Sequence, residues 1–339
     1  MDVCAVPRRR RLSLTPPSPA HDAVALALIV LVAVAASGVS ILIARRFGLT
    51  DMPNPLKIHS GSVPRFGGLG ILCAVVAGMA LFRIDDPSLL WGSVAAFIVG
   101  AVDDRFDLRP KIKLGGQVLA SCILAYSIMG HAGHRGLLYG LVALALSVGL
   151  LNAMNLLDGM NGLAAGNGFL IFLGLSVVTA LNGLDPRPAQ IFAAAAFGFL
   201  PWNFPKARTF MGDSGSLLLG FVLAYALSML MLENPILLLT GCVIAIVPIF
   251  DMLLGIVRRL LAKRPIFQGD RGHFYDRLDA TIQNAASTVL LTYLVTAIAA
   301  TCAIFASLLS PAVDVLCLAL LVALAAISSY KLGWLRYET

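Results

Sequence analysis

The sequence predicts an all-α integral membrane protein of about eleven transmembrane helices. Three observations lead there. Of 339 residues, 59% are hydrophobic and only 13% are charged, where a soluble domain carries about 25% charged residues. Mean hydropathy is +0.88, and long apolar runs recur along the whole chain. Lastly, Lys and Arg are spread very unevenly over the connections between those runs.

Eleven runs are helix candidates: 23–44, 68–82, 89–102, 116–129, 137–151, 163–181, 189–204, 215–232, 235–257, 286–309 and 312–328. Several fall short of the roughly 20 residues that a straight span needs. They are expected to continue into their polar flanks or to sit in a locally thinned site. Residues 1–22 are basic and then Pro-rich, an expected disordered arm. The run after them is too long for a signal-peptide core and lacks a small-residue cleavage site. Residues 23–330 are expected to form one membrane domain and 331–339 a cytoplasmic tail. Five of the six cysteines lie in apolar runs and none forms a CxxC pair, so no disulfide framework or zinc site is expected.

The connections after runs 1, 3, 5, 7 and 9, together with the tail, hold 18 of the 25 Lys and Arg. The even-numbered connections hold only Arg83, Arg135 and Arg187. Excess cations mark cytoplasmic loops, so the odd loops and the C-terminus are expected inside and the N-terminus outside. Arg8, Arg9, Arg10 and Arg11 run against this. Either the later loops dominate, or the true start lies further downstream. The net charge of +7 is therefore a topology signal, and nucleic acid is not an expected partner.

The chemistry-bearing residues fall in the same odd loops. Loop 1 carries Lys57, His59 and Arg65, which can collect an anion between Pro and Gly turns. Loop 3 reads AVDDRFDLRPKIK over 101–113. Its Asp103, Asp104 and Asp107 repel one another unless something positive lies between them, and oxygen ligands of this kind suit Mg²⁺ with phosphates in its shell. Lys111 and Lys113 beside them suit phosphate oxygens directly. Loop 5 spaces Asn152, Asn155 and Asp158 by three, one face of a helix end, and adds Asn161 between Gly159 and Gly162. Helix capping would account for one or two of these residues, not for all.

Loop 7 holds Asn203, Phe210 and then Gly212-Asp213-Ser214-Gly215-Ser216 at a helix start. Such a start aims backbone N–H groups at anions. Asp213 is a strong Mg²⁺ ligand candidate, and Phe210 can stack on a flat base. Loop 9 contributes Arg271, His273 and Arg277. Asp251, within run 9, is expected to pair with Arg258 and Arg259 nearby, since intramembrane carboxylates are costly when unpaired. A transporter would place its polar groups at midplane in broken helices; this pattern describes a site at the cytoplasmic interface.

In combination, PRFGG (64–68), DDRFD (103–107), NAMNLLDGMNGL (152–163) and FMGDSGS (210–216) resemble the polyprenyl-phosphate N-acetylhexosamine-1-phosphate transferase family over roughly 51–278. The resemblance implies transfer of a sugar-1-phosphate from a UDP-N-acetylhexosamine to undecaprenyl phosphate in the bacterial inner membrane, with release of UMP and with Mg²⁺ or Mn²⁺ as cofactor. A second copy of the chain is a candidate partner. Matching residue by residue, Asp213 corresponds to the family's metal-binding Asp. Asp103 and Asp104 correspond to its Asp pair, Phe210 to a uracil-stacking position, and Asn203 to a nucleotide-site Asn. Asn152, Asn155 and Asp158 fall in its central motif, and Arg271 and His273 in its late basic loop. Two departures stand out: Asn161 replaces a common Asp, and Tyr275-Asp276 follow His273 where many members carry more histidines. Both resemble the branch that starts O-antigen synthesis with N-acetylfucosamine or N-acetylquinovosamine. An N-acetylglucosamine-1-phosphate transferase is the alternative within the class. A transporter or lipid-handling protein without chemistry is the rival outside it.

Overall fold

A computed structural model describes residues 19–51, 62–265 and 272–335. Lys57, His59 and Arg271 lie outside the described residues. The chain is a helical bundle: α1 (Pro19–Phe47), α2 (Gly68–Phe82), α3 (Pro87–Phe106), α4 (Pro110–His131), α5 (Gly136–Leu157), α6 (Leu163–Leu181), α7 (Arg187–Asn203), α8 (Gly212–Glu233), α9 (Pro235–Ile244), α10 (Ile246–Leu261), α11 (Phe274–Ile282), α12 (Ala285–Leu309) and α13 (Pro311–Lys331). Two short strands, β1 (Thr50–Asp51) and β2 (Val63–Pro64), pair antiparallel between α1 and α2.

Several of the short apolar runs extend into their flanks, whereas run 68–82 keeps its bounds as α2. Run 89–102 becomes α3, which carries Asp103 and Asp104 in its last turn and ends at Asp107 in a left-handed conformation (φ 48°). Hydropathy stops at the first charge; the main-chain ladder does not. Among the described residues, six helices are long and apolar enough to cross a membrane, and a seventh if α9 and α10 count together. The protein is thus an all-α membrane protein. The outward side chains of α1 and α12, such as Leu31, Leu42, Leu294 and Phe305, are exposed apolar groups, as lipid contact requires.

Run 235–257 does not form one helix. It breaks at Ala245 into α9 and α10, which meet at 81°. Pro248 is the third residue of α10. Lacking an N–H, it cannot continue the hydrogen-bond ladder of α9.

The core is organised around α8, which is buried along most of its length and packs against α2, α3 and α5. Its register against α3 is fixed at both ends. At one end the Tyr225 hydroxyl donates to Asp86 (2.8 Å), whose other oxygen caps α3 by accepting from the Ser88 and Leu89 N–H groups. The other end is the candidate active site.

Candidate active site

Four segments distant in sequence meet where α3 and α5 end and α4 and α8 begin. The first contribution is main-chain. The Phe210 N–H donates to the Pro64 carbonyl (2.8 Å), and the Gly67 and Gly68 N–H groups donate to the Phe210 and Met211 carbonyls (2.9 and 3.0 Å). Thr209 Oγ1 adds a bond to Pro64 O (3.0 Å). This stitching sets Arg65 beside the start of α8.

Asp104 fills the N-terminus of α8. Its two oxygens accept from the Asp213 and Ser214 N–H groups (2.9 and 3.0 Å), satisfying donors that a helix start leaves orphaned. Arg65 Nε lies 3.1 Å from the same carboxylate. Two glycines allow this approach. Gly212 has φ +71°, and a side chain there would enter the Asp104 carboxylate; a Cβ on Gly100 would enter the Asp213 carbonyl.

Asp213 is held on both oxygens. Oδ1 accepts from Arg65 (3.2 Å) and from Asn155 Nδ2 (3.1 Å). Oδ2 accepts from the Lys113 ammonium, which also meets Asp103 Oδ2 (2.9 Å) and Asn155 Oδ1 (3.0 Å). Lys113 stands in the first turn of α4, where the helix dipole disfavours a cation; the carboxylates offset that. Asp103 also accepts from the Leu108 N–H (2.8 Å). Asn155 Nδ2 reaches Ser216 Oγ as well (2.9 Å).

Exposure separates the two adjacent aspartates. The Asp104 side chain is 0% exposed, whereas Asp103, Asp213 and Lys113 keep 10%, 14% and 17%. Asp103 can meet a substrate. Asp104, expected as catalytic, is closed off from solvent and caps the start of α8. Arg65 is a firm cation: burial works against its charge, but Asp104, Asp213 and Asp51 outweigh burial and raise its pKa. Asp158 follows the last residue of α5. Burial and then the charge of Asp213 push its carboxyl well above the usual carboxylate range.

The other expected site residues make the following contacts. Asn203 is buried and spent on main chain, accepting from the Gly162 N–H (2.6 Å) and donating to Thr209 O (3.0 Å). Asn161 donates to Pro205 O (3.3 Å). These bonds tie loop 5 to loop 7. Phe210 contributes its backbone, with its ring half-buried. Lys111 is exposed and, two residues from Lys113, faces away from it along α4. Asn152 meets Gln117 (2.8 Å), a residue that motif reading passes over.

His273 does not join this cluster. Its Nδ1 meets Asp251 Oδ2 (2.7 Å), and the Phe274 N–H donates to Asp251 Oδ1 (2.9 Å). Its ring stacks on Tyr275 at 5.3 Å, and the Tyr275 hydroxyl donates to Leu156 O (3.0 Å). The expected ion pair of Asp251 with Arg258 and Arg259 is thereby corrected: Arg258 donates to the Gly272 carbonyl. His273 lies beyond the end of α10, so helical spacing from Asp251 could not reveal the pair.

Among the described residues no three carboxylate, His or Cys groups converge as a metal cage. Asp103 Oδ2 and Asp213 Oδ2 do converge on a single cation, the Lys113 ammonium. A pair of carboxylates meeting at one cation is the type of oxygen donor that suits Mg²⁺ or Mn²⁺.

Comparison with known proteins shows the family. Residues 87–231 match the model of glycosyl transferase family 4. The chain is 36% identical over 276 residues to a Bacillus subtilis protein named "Probable undecaprenyl-phosphate N-acetylglucosaminyl 1-phosphate transferase", covering 75% of this chain and 76% of that one. It is 32% identical over 308 residues to the Mycobacterium tuberculosis (strain ATCC 25618 / H37Rv) decaprenyl-phosphate N-acetylglucosaminephosphotransferase, covering 76% of each. A Thermotoga maritima undecaprenyl-phosphate alpha-N-acetylglucosaminyl 1-phosphate transferase is 31% identical over 241 residues, covering 70% of this chain and 75% of that one. The chain belongs to glycosyl transferase family 4 and is a phosphosugar transferase.

Proposed function

We propose that the protein transfers an N-acetylhexosamine-1-phosphate from a UDP-sugar to undecaprenyl phosphate as the first step in building a cell-envelope polysaccharide. One observation carries the reading: Asp103 and Asp213 share a cation at a solvent-reachable point flanked by Arg65 and Asn155. In the reaction an oxygen of the lipid phosphate bonds to the β-phosphorus of the UDP-sugar. The bond from that phosphorus to the α–β bridging oxygen breaks, and UMP leaves with the electron pair.

Two anions must meet, so neutralisation and alignment are the main tasks. Lys113 and Arg65, each now satisfied by carboxylates, can turn to phosphate oxygens. Asp213 with Asp103 would hold Mg²⁺ or Mn²⁺, which supplies charge neutralisation at the diphosphate. The lipid phosphate is already largely ionised near pH 7, its second pKa being about 6. Beyond holding the metal, Asp103 is therefore needed only as a positioning group or weak base.

The names of the relatives favour UDP-N-acetylglucosamine as donor. A second reading, UDP-N-acetylfucosamine or UDP-N-acetylquinovosamine with an O-antigen product, rests on Asn161 and on Tyr275-Asp276 after His273. The proposed topology has eleven crossings, counting α2, α3, α7 and α13 with the longer helices and α9–α10 as one. It places the N-terminus outside, the C-terminus inside and the active site at the cytoplasmic face of the bacterial inner membrane. The cation asymmetry of the odd loops supports it.

The test is UMP release by purified protein with undecaprenyl phosphate, Mg²⁺ and a panel of the three UDP-sugars, with and without EDTA. Release with one donor, abolished by EDTA, is expected. Folded protein that moves a donor across vesicles without releasing UMP would overturn the reading in favour of transport.

A further inference from the structure

Helices α4 and α5 are joined by a polar ladder that runs from the active site into the apolar interior. The top rung is Lys113 donating to Asn155 (3.0 Å). One turn down, Gln117 and Asn152 exchange a reciprocal pair of amide bonds, Asn152 Nδ2 to Gln117 Oε1 at 2.8 Å and Gln117 Nε2 to Asn152 Oδ1 at 3.3 Å. A further turn down, Ser121 Oγ donates to Ser147 Oγ (2.8 Å). Gln117 is 1% exposed and Ser121 and Ser147 are 0% exposed. Below the ladder the contact turns apolar, with Leu124 and Ala143 buried.

An amide sealed among apolar groups is costly unless paired, so the reciprocal pair tolerates little sliding of one helix past the other. Gln117 follows Lys113 by four residues, and Asn152 precedes Asn155 by three, so each rung shares a helix face with the next. The register of this rung therefore sets where the Lys113 ammonium and the Asn155 amide present themselves to Asp213 and Asp103. Lys113 is a flexible cation on a four-carbon stem. Asp103, Asp213 and the Asn155 oxygen hold its ammonium, but the position of its Cα and of Asn155 is governed from below.

We infer that Gln117, paired with Asn152, is a positioning residue for the transferase reaction: it locks α4 against α5 so that Lys113 stands between Asp103 and Asp213. This rests on the transferase reading above. Asn152 acts here through Gln117 rather than by touching the donor. The clamp governs alignment in the reaction more than affinity, so its loss should fall on kcat.

The experiment measures UMP release by the full chain in lipid nanodiscs, with kcat counted per folded enzyme and thermal unfolding followed in parallel. Wild-type turnover comes first; its absence would count against the transferase reading and not against the clamp. Gln117→Ala is expected to lower kcat by about 10-fold or more, since sub-ångström to 1 Å misplacement can cost up to about 100-fold, with donor KM changed less than about 3-fold. Gln117→Asn keeps the amide but withdraws it by one methylene, and serves where the alanine variant fails to fold. The exchanged pair Gln117→Asn with Asn152→Gln restores the span from the other helix and is expected to recover most of kcat. A general loss of packing would not be repaired by that exchange. The inference is overturned if Gln117→Ala and Gln117→Asn both keep wild-type kcat, or if the exchanged pair is no better than either single variant.

Discussion

The cluster around Asp213 and the cluster around Asp251 contain similar groups: a carboxylate, a partner that can carry positive charge, and backbone donors. They differ in closure. Asp213, Asp103 and Lys113 retain partial exposure, and their mutual bonds are side chain to side chain, so each can exchange its partner for a ligand. The Asp251 side chain is 0% exposed and that of His273 is 6% exposed, with one carboxylate oxygen taken by the Phe274 N–H. The first cluster is built to be rearranged. The second holds the chain where α11 begins and sets the Tyr275 hydroxyl against the end of α5.

The sharpest way to break this contrast is to remove charge from each centre in turn. Asp213→Asn leaves the shape but takes away the charge that Lys113 and Arg65 surround. Metal-dependent UMP release should fall by about 100- to 1000-fold, the scale of losing one well-placed electrostatic group. Near wild-type turnover would remove Asp213 from the chemistry.

Asp251→Asn should behave differently. The hydrogen bond of a charged acceptor is worth about 1.5–3 kcal/mol, so the variant should unfold at lower temperature. Its turnover per folded molecule should fall by no more than about 10-fold. A loss as deep as that of Asp213→Asn, at unchanged stability, would make the second cluster catalytic and erase the distinction. Smallest of all, Lys111→Ala should leave kcat and thermal stability within about 2-fold and 0.5 kcal/mol of wild type, because the side chain is exposed. A large drop in turnover would bring Lys111 back to the substrate.

Much of the first cluster is legible in the sequence, and the reason is local. Asp103, Asp104, Asn155 and Asp213 sit in short polar breaks between long apolar runs, where helix capping is the main competing role for a polar side chain. Arg65 is legible as a loop cation, but its neighbour is not: the bridge between Arg65 and Phe210 joins backbone segments that no side-chain pattern marks. The different fates of Asp103 and Asp104 are equally invisible, because adjacent helical residues point about 100° apart and only the packing partner decides which faces α8. Gln117 reads as one polar residue in an apolar run. Its meaning depends on Asn152 across the helix interface. The break at Ala245 could have been read from Pro248, since an interior proline stops a hydrogen-bond ladder, but the run 235–257 is apolar on both sides of it. The pairing of Asp251 with His273 spans the turn into α11, so helical spacing favoured the arginines instead.

Gly100 carries a consequence of a different kind. Where α3 crosses the start of α8, nothing larger than a hydrogen atom fits between the Gly100 α-carbon and the Asp213 carbonyl. The approach of the Asp103–Asp104 end of α3 to Asp213 is thus set by the smallest residue available. A single methyl group here acts as a wedge, and it would disable the enzyme from within without altering any group that performs the reaction.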